Sequence, residues 1–199
     1  ADWTDLSRPG ITPYVQSKTV AERAARDWVA REDAGLSFCA ICPSVVLGPV
    51  WGPDYSASVG VVQKLLDGSL RATPDFGFGV VDVRDVADLH VRALTAPGMD
   101  GERFIASGRF MKLREVAEVL RTALGPQADR VTTRNVADWL VRLVALVNPV
   151  ARAVASELGS VRHQDASHAL AVLGWAPRPV EQSIVDCARS LIEHRLVGT

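Results

Sequence analysis

The stretch GITPYVQSKTVAERAARDW, residues 10–28, is where the fold of this chain becomes legible. Thr12 and Pro13 suit an N-cap and a first helical position, since a hydroxyl can accept a free backbone N–H and proline needs none. The helix they open runs to about Glu32 and stops before Gly35. Tyr14, Lys18, Ala21, Ala25 and Trp28 recur at i, i+4, i+7, i+11 and i+14, so they form one stripe, predicted to be the buried one. Arg23, Arg26, Asp27 and Ala30 fill the other side. A lysine in such a stripe needs a reason, because burying an ammonium without a partner is costly. Tyr14 stands one turn before it and faces the same way. A neighbouring cation favours the phenolate form, and a phenol so poised can pass a proton to or from a hydroxyl or carbonyl oxygen. The plainer alternative is that Tyr14 packs while Lys18 reaches along it to water.

The rest of the chain alternates strands and helices early and turns helical late. LSFCAIC (36–42) is a continuous apolar run ended by Pro43, the pattern of a strand buried on both faces. PSVVLGPVWGPDYSAS (43–58) reads as a loop rich in Gly and Pro, VGVVQKLLDG (59–68) as a short helix, and FGVVDV (78–83) as a strand. Asp85 is expected to cap the helix VADLHVRALTA (86–96), which Pro97 and Gly98 end. GERFIAS (101–107) reads as a strand, LREVAEVLRTALG (113–125) as an amphipathic helix and RVTTR (130–134) as a short strand. Helices are expected over 135–147, 150–158, 165–173 and 180–195. This order predicts an α/β layered fold with a helical lobe.

Composition narrows the function. The chain has 199 residues, 48% of them hydrophobic, and a net charge of −1, enough for a core and no footprint for nucleic acid. Its three cysteines cannot build a disulfide framework, which favours a reducing, cytoplasmic setting. Cys39 and Cys42 are read as buried structural thiols on opposite faces of a strand. The window WLVRLVALVNPVARAVA (139–155) is broken by Arg142, Asn148, Pro149 and Arg152. It reads as buried or interfacial helix rather than a bilayer span, so no membrane partner is expected. His163, Asp165 and His168 cluster in sequence, but Asp165 serves more simply to cap a helix from Ala166, and no metal site is expected. No GxSxG is present, against a nucleophile-elbow hydrolase. Asp82 and Arg84 are read first as an internal ion pair, and second as a substrate contact.

YVQSKTVAERAA (14–25), CPSVVLGP (42–49), VVDVRDVADLHVRAL (80–94) and LGWAPRPVEQSIVDCARSLI (173–192), taken together, resemble the extended short-chain dehydrogenase/reductase family, in its dihydroflavonol-reductase-like and aldehyde-reductase-like branch. The resemblance implies the C-terminal part of a Rossmann-like parallel-sheet cofactor domain over residues 1–110, with 49–85 a substrate-side insertion, and a mainly helical substrate-binding lobe over 111–199. It implies that Tyr14 is the catalytic acid/base, and that Lys18 holds the nicotinamide ribose and tunes that phenol. Pro43 and the backbone of Val46 would lie against the nicotinamide of NAD or NADP. Trp51 and Tyr55 would line the pocket of a small-molecule carbonyl substrate. The implied activity is NAD(P)-dependent reduction of a ketone or aldehyde. The rivals are a sugar-nucleotide epimerase or dehydratase of the same family, and a non-catalytic dinucleotide sensor on the same fold. Such epimerases commonly carry an asparagine where this chain has PSVVLGP, which favours the reductase.

The glycine-rich turn that binds a dinucleotide is absent. FGFG (76–79) leads into a strand rather than out of one, and reads as a turn. The chain also begins with Ala. It is therefore expected to be the C-terminal portion of a longer reductase, inactive alone, with the cofactor bound mainly by the missing N-terminal half. LSFCAIC would then present an open edge, and the chain would form homodimers or swap segments.

Overall fold

The computed structural model describes residues 3–8, 11–32 and 35–198, so the expected punctuation at Pro9 and Gly10 lies outside the described residues. Five strands form two small sheets. β1 (Ala40–Pro43) runs parallel to β4 (Arg103–Ala106). β2 (Val45–Leu47) runs parallel to β3 (Gly77–Asp82), and β5 (Phe110–Lys112) lies antiparallel on the other edge of β3. Around them stand α1 (Pro13–Glu32), α2 (Ala57–Leu66), α3 (Val83–Thr95), α4 (Leu113–Leu124), α5 (Asp138–Val144), α6 (Pro149–Ala155), α7 (Ser167–Leu173) and α8 (Val180–Glu193). The architecture is α/β, as the alternation of elements predicts.

β3 is the wall between two apolar cores. Successive side chains of a strand point to opposite faces. Val80 joins Leu47, Val62, Leu65, Met111, Leu120 and Ile184 in the core between α2, α4 and α8. Val81 joins Leu89, Phe104, Ala106, Ala169 and Trp175 in the core beneath α3 and α7. The larger core thus draws on residues before and after position 110. The antiparallel partner comes close because residue 77 lacks a side chain: a Cβ there would sit 2.6 Å from the Met111 carbonyl oxygen.

At the end of β3 the chain turns directly into α3, and charge fixes the junction. Asp82, not Asp85, is the N-cap: its Oδ1 accepts the Arg84 N–H at 2.9 Å. Asp82 also takes the Arg84 guanidinium, which reaches on to Asp186 of α8 at 2.7 Å. Asp85 sits in the first turn, buried, and accepts from the Arg178 backbone and side chain at 2.7–2.9 Å. Its own carbonyl takes the indole N–H of buried Trp175. The first reading of Asp82 and Arg84, an internal ion pair, is what the structure has.

Several expectations are corrected. The Tyr14–Lys18–Ala21–Ala25–Trp28 stripe is not the packed face of α1. Of that stripe only Ala25 is partly covered; the other covered residues are Val15, Thr19, Glu22, Arg26 and Val29, one position further on and hence about 100° around the helix. The register is set by charge: Glu22 pairs with Arg103 at 3.0 Å and with Arg26, whose guanidinium donates to the carbonyls of Gly101 and Glu102. FGFG is not a turn, since Gly77, Phe78 and Gly79 lie within β3. RVTTR forms no strand, and Asn135 makes only an isolated bridge to Thr73. PSVVLGP hides a strand, β2. Residues 139–155, read as buried or interfacial helix, form most of α5 and α6 and bury only Val141 and Ala145, while most of their large apolar side chains face water. Cys39 and Cys42 are half-buried free thiols, pushed up in pKa by desolvation.

Burial alone would raise the Asp82 carboxyl, but the hydrogen bonds from Arg84 outweigh it and hold the group below the ordinary carboxylate range. A depressed carboxyl stabilises the fold above its unfolded pKa of about 4, and that contribution is lost as pH falls through the folded value. Asp82→Asn should therefore cost about 1.5–3 kcal/mol at pH 7, the worth of hydrogen bonds to a charged group, since Arg84 keeps Asp186 as a partner. The gap to wild type should narrow below about pH 4. Urea unfolding at both pH values checks this, and a gap independent of pH would contradict it.

Candidate functional site

The sequence-predicted residues fall into two places. The first is the start of α1. Thr12 Oγ1 accepts the Val15 N–H at 3.3 Å, so the expected cap is present. Tyr14 follows in the first turn, 70% exposed. Lys18 turns back over it, with Nζ 5.6 Å from the ring centroid. The two side chains do face each other, and the ammonium lies beside the aromatic face. The pair is open to water, and neither member lines the cavity described below.

The second place is a cavity of about 700 Å³ at the carboxyl ends of β2 and β3. Val46, Trp51 and Tyr55 all line it, with Val50, Val59, Asp54 and Arg84. Val46 is half-buried in β2, Tyr55 is half-buried, and Trp51 stands on the rim at 96% exposure. Pro43 is exposed at the end of β1 and is not part of the lining. The floor is Gly48, at φ +124°, where a Cβ would lie 2.9 Å from Val83 Cγ1 and 3.1 Å from Asp82 Oδ1. The Val50 N–H donates to Ser190 Oγ at 2.9 Å, pinning the loop to α8. Clefts at the carboxyl ends of parallel strands are the usual ligand sites of α/β proteins. The walls are mostly apolar and suit a ring or chain, while Arg84 is already neutralised by Asp82 and Asp186.

Sequence reasoning missed Asp186, Arg178 and Ser190 as the groups that hold this cavity, since each lies 93 to 140 residues from its partner. It also missed Glu22 and Arg103, which orient α1. The His163–Asp165–His168 cluster disperses: Asp165 accepts the Ser167 N–H, and His168 pairs with Glu102 at 2.6 Å and stacks on Phe104. Among the described residues no group of three His, Cys, Asp or Glu side chains is placed to hold a metal ion.

Comparison with known proteins gives this arrangement a context. No family model matches the chain. An uncharacterized oxidoreductase of Schizosaccharomyces pombe is 36% identical over 125 residues, covering 60% of this chain and 37% of that protein. Cinnamoyl-CoA reductase 1 of Arabidopsis thaliana is 36% identical over 120 residues, covering 59% of this chain and 34% of the enzyme. The chain's homologues are reductases of the extended short-chain dehydrogenase/reductase family. Among solved structures, yeast methylglyoxal/isovaleraldehyde reductase Gre2, complexed with NADPH, superposes with a TM-score of 0.71 at 20% identity. That match covers 98% of this chain and 56% of Gre2, and shows the Rossmann-like fold of these reductases. The chain thus spans about a third of the length of the two curated reductase relatives and a little over half of the solved one.

The exposure of Tyr14 and the closeness of Gly48 make opposite demands on stability. Tyr14→Phe should leave urea stability within about 0.5 kcal/mol of wild type, because no packing or buried hydrogen bond is lost. Gly48→Val should cost about 2 kcal/mol or more, from the positive φ and the contact with Val83. Equal effects of the two substitutions would contradict this account of the site.

Proposed function

We propose that this chain is the C-terminal part of an NAD(P)H-dependent reductase of ketones or aldehydes, with Tyr14 as the proton donor. The observation that carries the reading is the Tyr14–Lys18 pair, with Lys18 Nζ 5.6 Å from the phenol ring, on a chain whose homologues are reductases. The residues present fit the reacting end of a nicotinamide cofactor: an apolar cavity walled by Val46, with Pro43 at the end of the neighbouring sheet. They do not fit its phosphates, for no glycine-rich turn between a strand and a helix is present in the sequence. The cofactor, when bound, supplies hydride to the carbonyl carbon. Tyr14 supplies the proton to the carbonyl oxygen, giving the alcohol. Lys18 keeps positive charge beside the phenol and presents an ammonium for a ribose hydroxyl. Trp51 and Tyr55 hold the substrate's apolar body, and Gly48 lets the loop lie close enough to β3 to form the floor.

Two uncovered surfaces support a further segment in the working enzyme. Tyr14, Lys18, Ala21 and Trp28 of α1 face water, and β1 is paired only by β4 among the described strands. In this reading a dinucleotide-binding segment covers both, brings its glycine turn to the cofactor phosphates, and completes a cytoplasmic enzyme. Residues 1–110, with 49–85 inserted on the substrate side, belong to the cofactor side, and 111–199 form the substrate lobe. Without that segment the open edge of β1 is where copies of the chain would pair or swap.

The test is NADPH oxidation with a panel of aliphatic and aromatic aldehydes and ketones. The 199-residue chain alone should show none. The product of the complete coding sequence should turn over, and Tyr14→Phe should lower kcat at least about 100-fold, the usual size of a lost general acid. Full activity of the Tyr14→Phe enzyme would overturn the assignment.

A further inference from the structure

We propose that the hairpin of α5 and α6 docks on an anionic lipid surface. The two helices pack chiefly on each other and bury only Val141 and Ala145 fully. Trp139, Leu143, Leu146, Val147 and Val150 are exposed, with Leu146 at 71% and Val147 at 87%. An exposed apolar patch of this density marks an interaction surface rather than ordinary surface scatter. The hairpin is rigidly built. Asn148 Oδ1 accepts the N–H groups of Val150 and Ala151, and Arg152 donates to the carbonyls of Ala145 and Leu146 that end α5.

Charge selects the occupant. From Asp129 to Glu157 the chain carries four arginines, Arg130, Arg134, Arg142 and Arg152, against three acids, a local charge of +1 in a chain of net charge −1. The exposed side chains of Arg134 and Arg142 make no ion pair among the described residues. Apolar side chains including a tryptophan, bordered by unpaired arginines, are the composition of helices that lie in the headgroup region of acidic bilayers. No helix of the described residues is long and apolar enough to cross a membrane, so the contact is peripheral. The proposal departs from the sequence expectation of no membrane partner.

Vesicle flotation tests this with the 199-residue chain. Vesicles of phosphatidylcholine containing phosphatidylserine should carry the protein, and phosphatidylcholine alone should not. Arg142→Gln should weaken binding about fivefold, the worth of one arginine near such a surface. The double variant Leu146→Asp, Val147→Asp should weaken it at least about tenfold. Its urea stability should stay that of wild type, since both side chains are exposed. Trp28→Ser, on the separate uncovered face of α1, should bind as wild type does. Absence of binding, equal binding to neutral vesicles, or loss with Trp28→Ser rather than the double variant would overturn the proposal. So would a dimer in light scattering that the double variant abolishes while lipid binding is nil.

Discussion

The carboxylate of Asp82 holds the most consequential position in the molecule. It ends the strand that separates the two cores, caps the helix that follows, and fixes Arg84, which carries the link on to Asp186 of α8. Three residues later Asp85 repeats the device with Arg178. Arg178 follows buried Trp175 and precedes α8, so the C-terminal segment is tied to α3 at both residues. A buried ion pair adds little net stability compared with apolar packing. Here the pairs join β3, α3 and α8 beside the cavity that Arg84 lines.

The two halves of the candidate site are therefore held to different degrees. The cavity is walled by β2, floored by Gly48 against Asp82, and pinned to α8 through Val50 and Ser190. Tyr14 and Lys18 stand on a helix that has a single buried residue, Thr19, and is anchored mainly through Glu22, Arg26 and Arg103. Their mutual orientation follows from helical spacing alone. Their distance from a substrate depends on where α1 sits, and Tyr14, Lys18 and Trp28 on its outer side are exposed. A proton donor needs placement within hydrogen-bond reach of its acceptor, so a covering segment would act on catalysis by fixing this helix.

How much of this was legible in the sequence depends on range. Local signals were sound: Thr12 and Pro13 opened α1, and the apolar periodicity of residues 113–124 marked α4. Val46, Trp51 and Tyr55, placed near a ligand by resemblance, do line one cavity. The failures came where distant charge overrode local pattern. The apolar-looking stripe of α1 lost the packed side to Glu22 and Arg26, because Arg103 and the carbonyls at 101 and 102 offered them partners. Asp85 looked like the cap because it precedes an apolar run, yet Arg178, 93 residues on, claims it. β2 and β5 were invisible because three residues beside Gly, Pro or charge give no period to read. The window at 139–155 was apolar enough to suggest burial, and nothing in sequence alone says that no element covers it.

In the proposed reading, the outer face of α1 and the free edge of β1 are contact surfaces of a reductase whose dinucleotide-binding segment would complete the site. Amide hydrogen exchange of residues 14–28 and 36–42, compared between this chain and the product of the complete coding sequence with NADPH, tests it most directly. The account requires slowed exchange concentrated in these two stretches and around Val46–Tyr55. Equal exchange in both proteins, or protection confined to other elements, would contradict it.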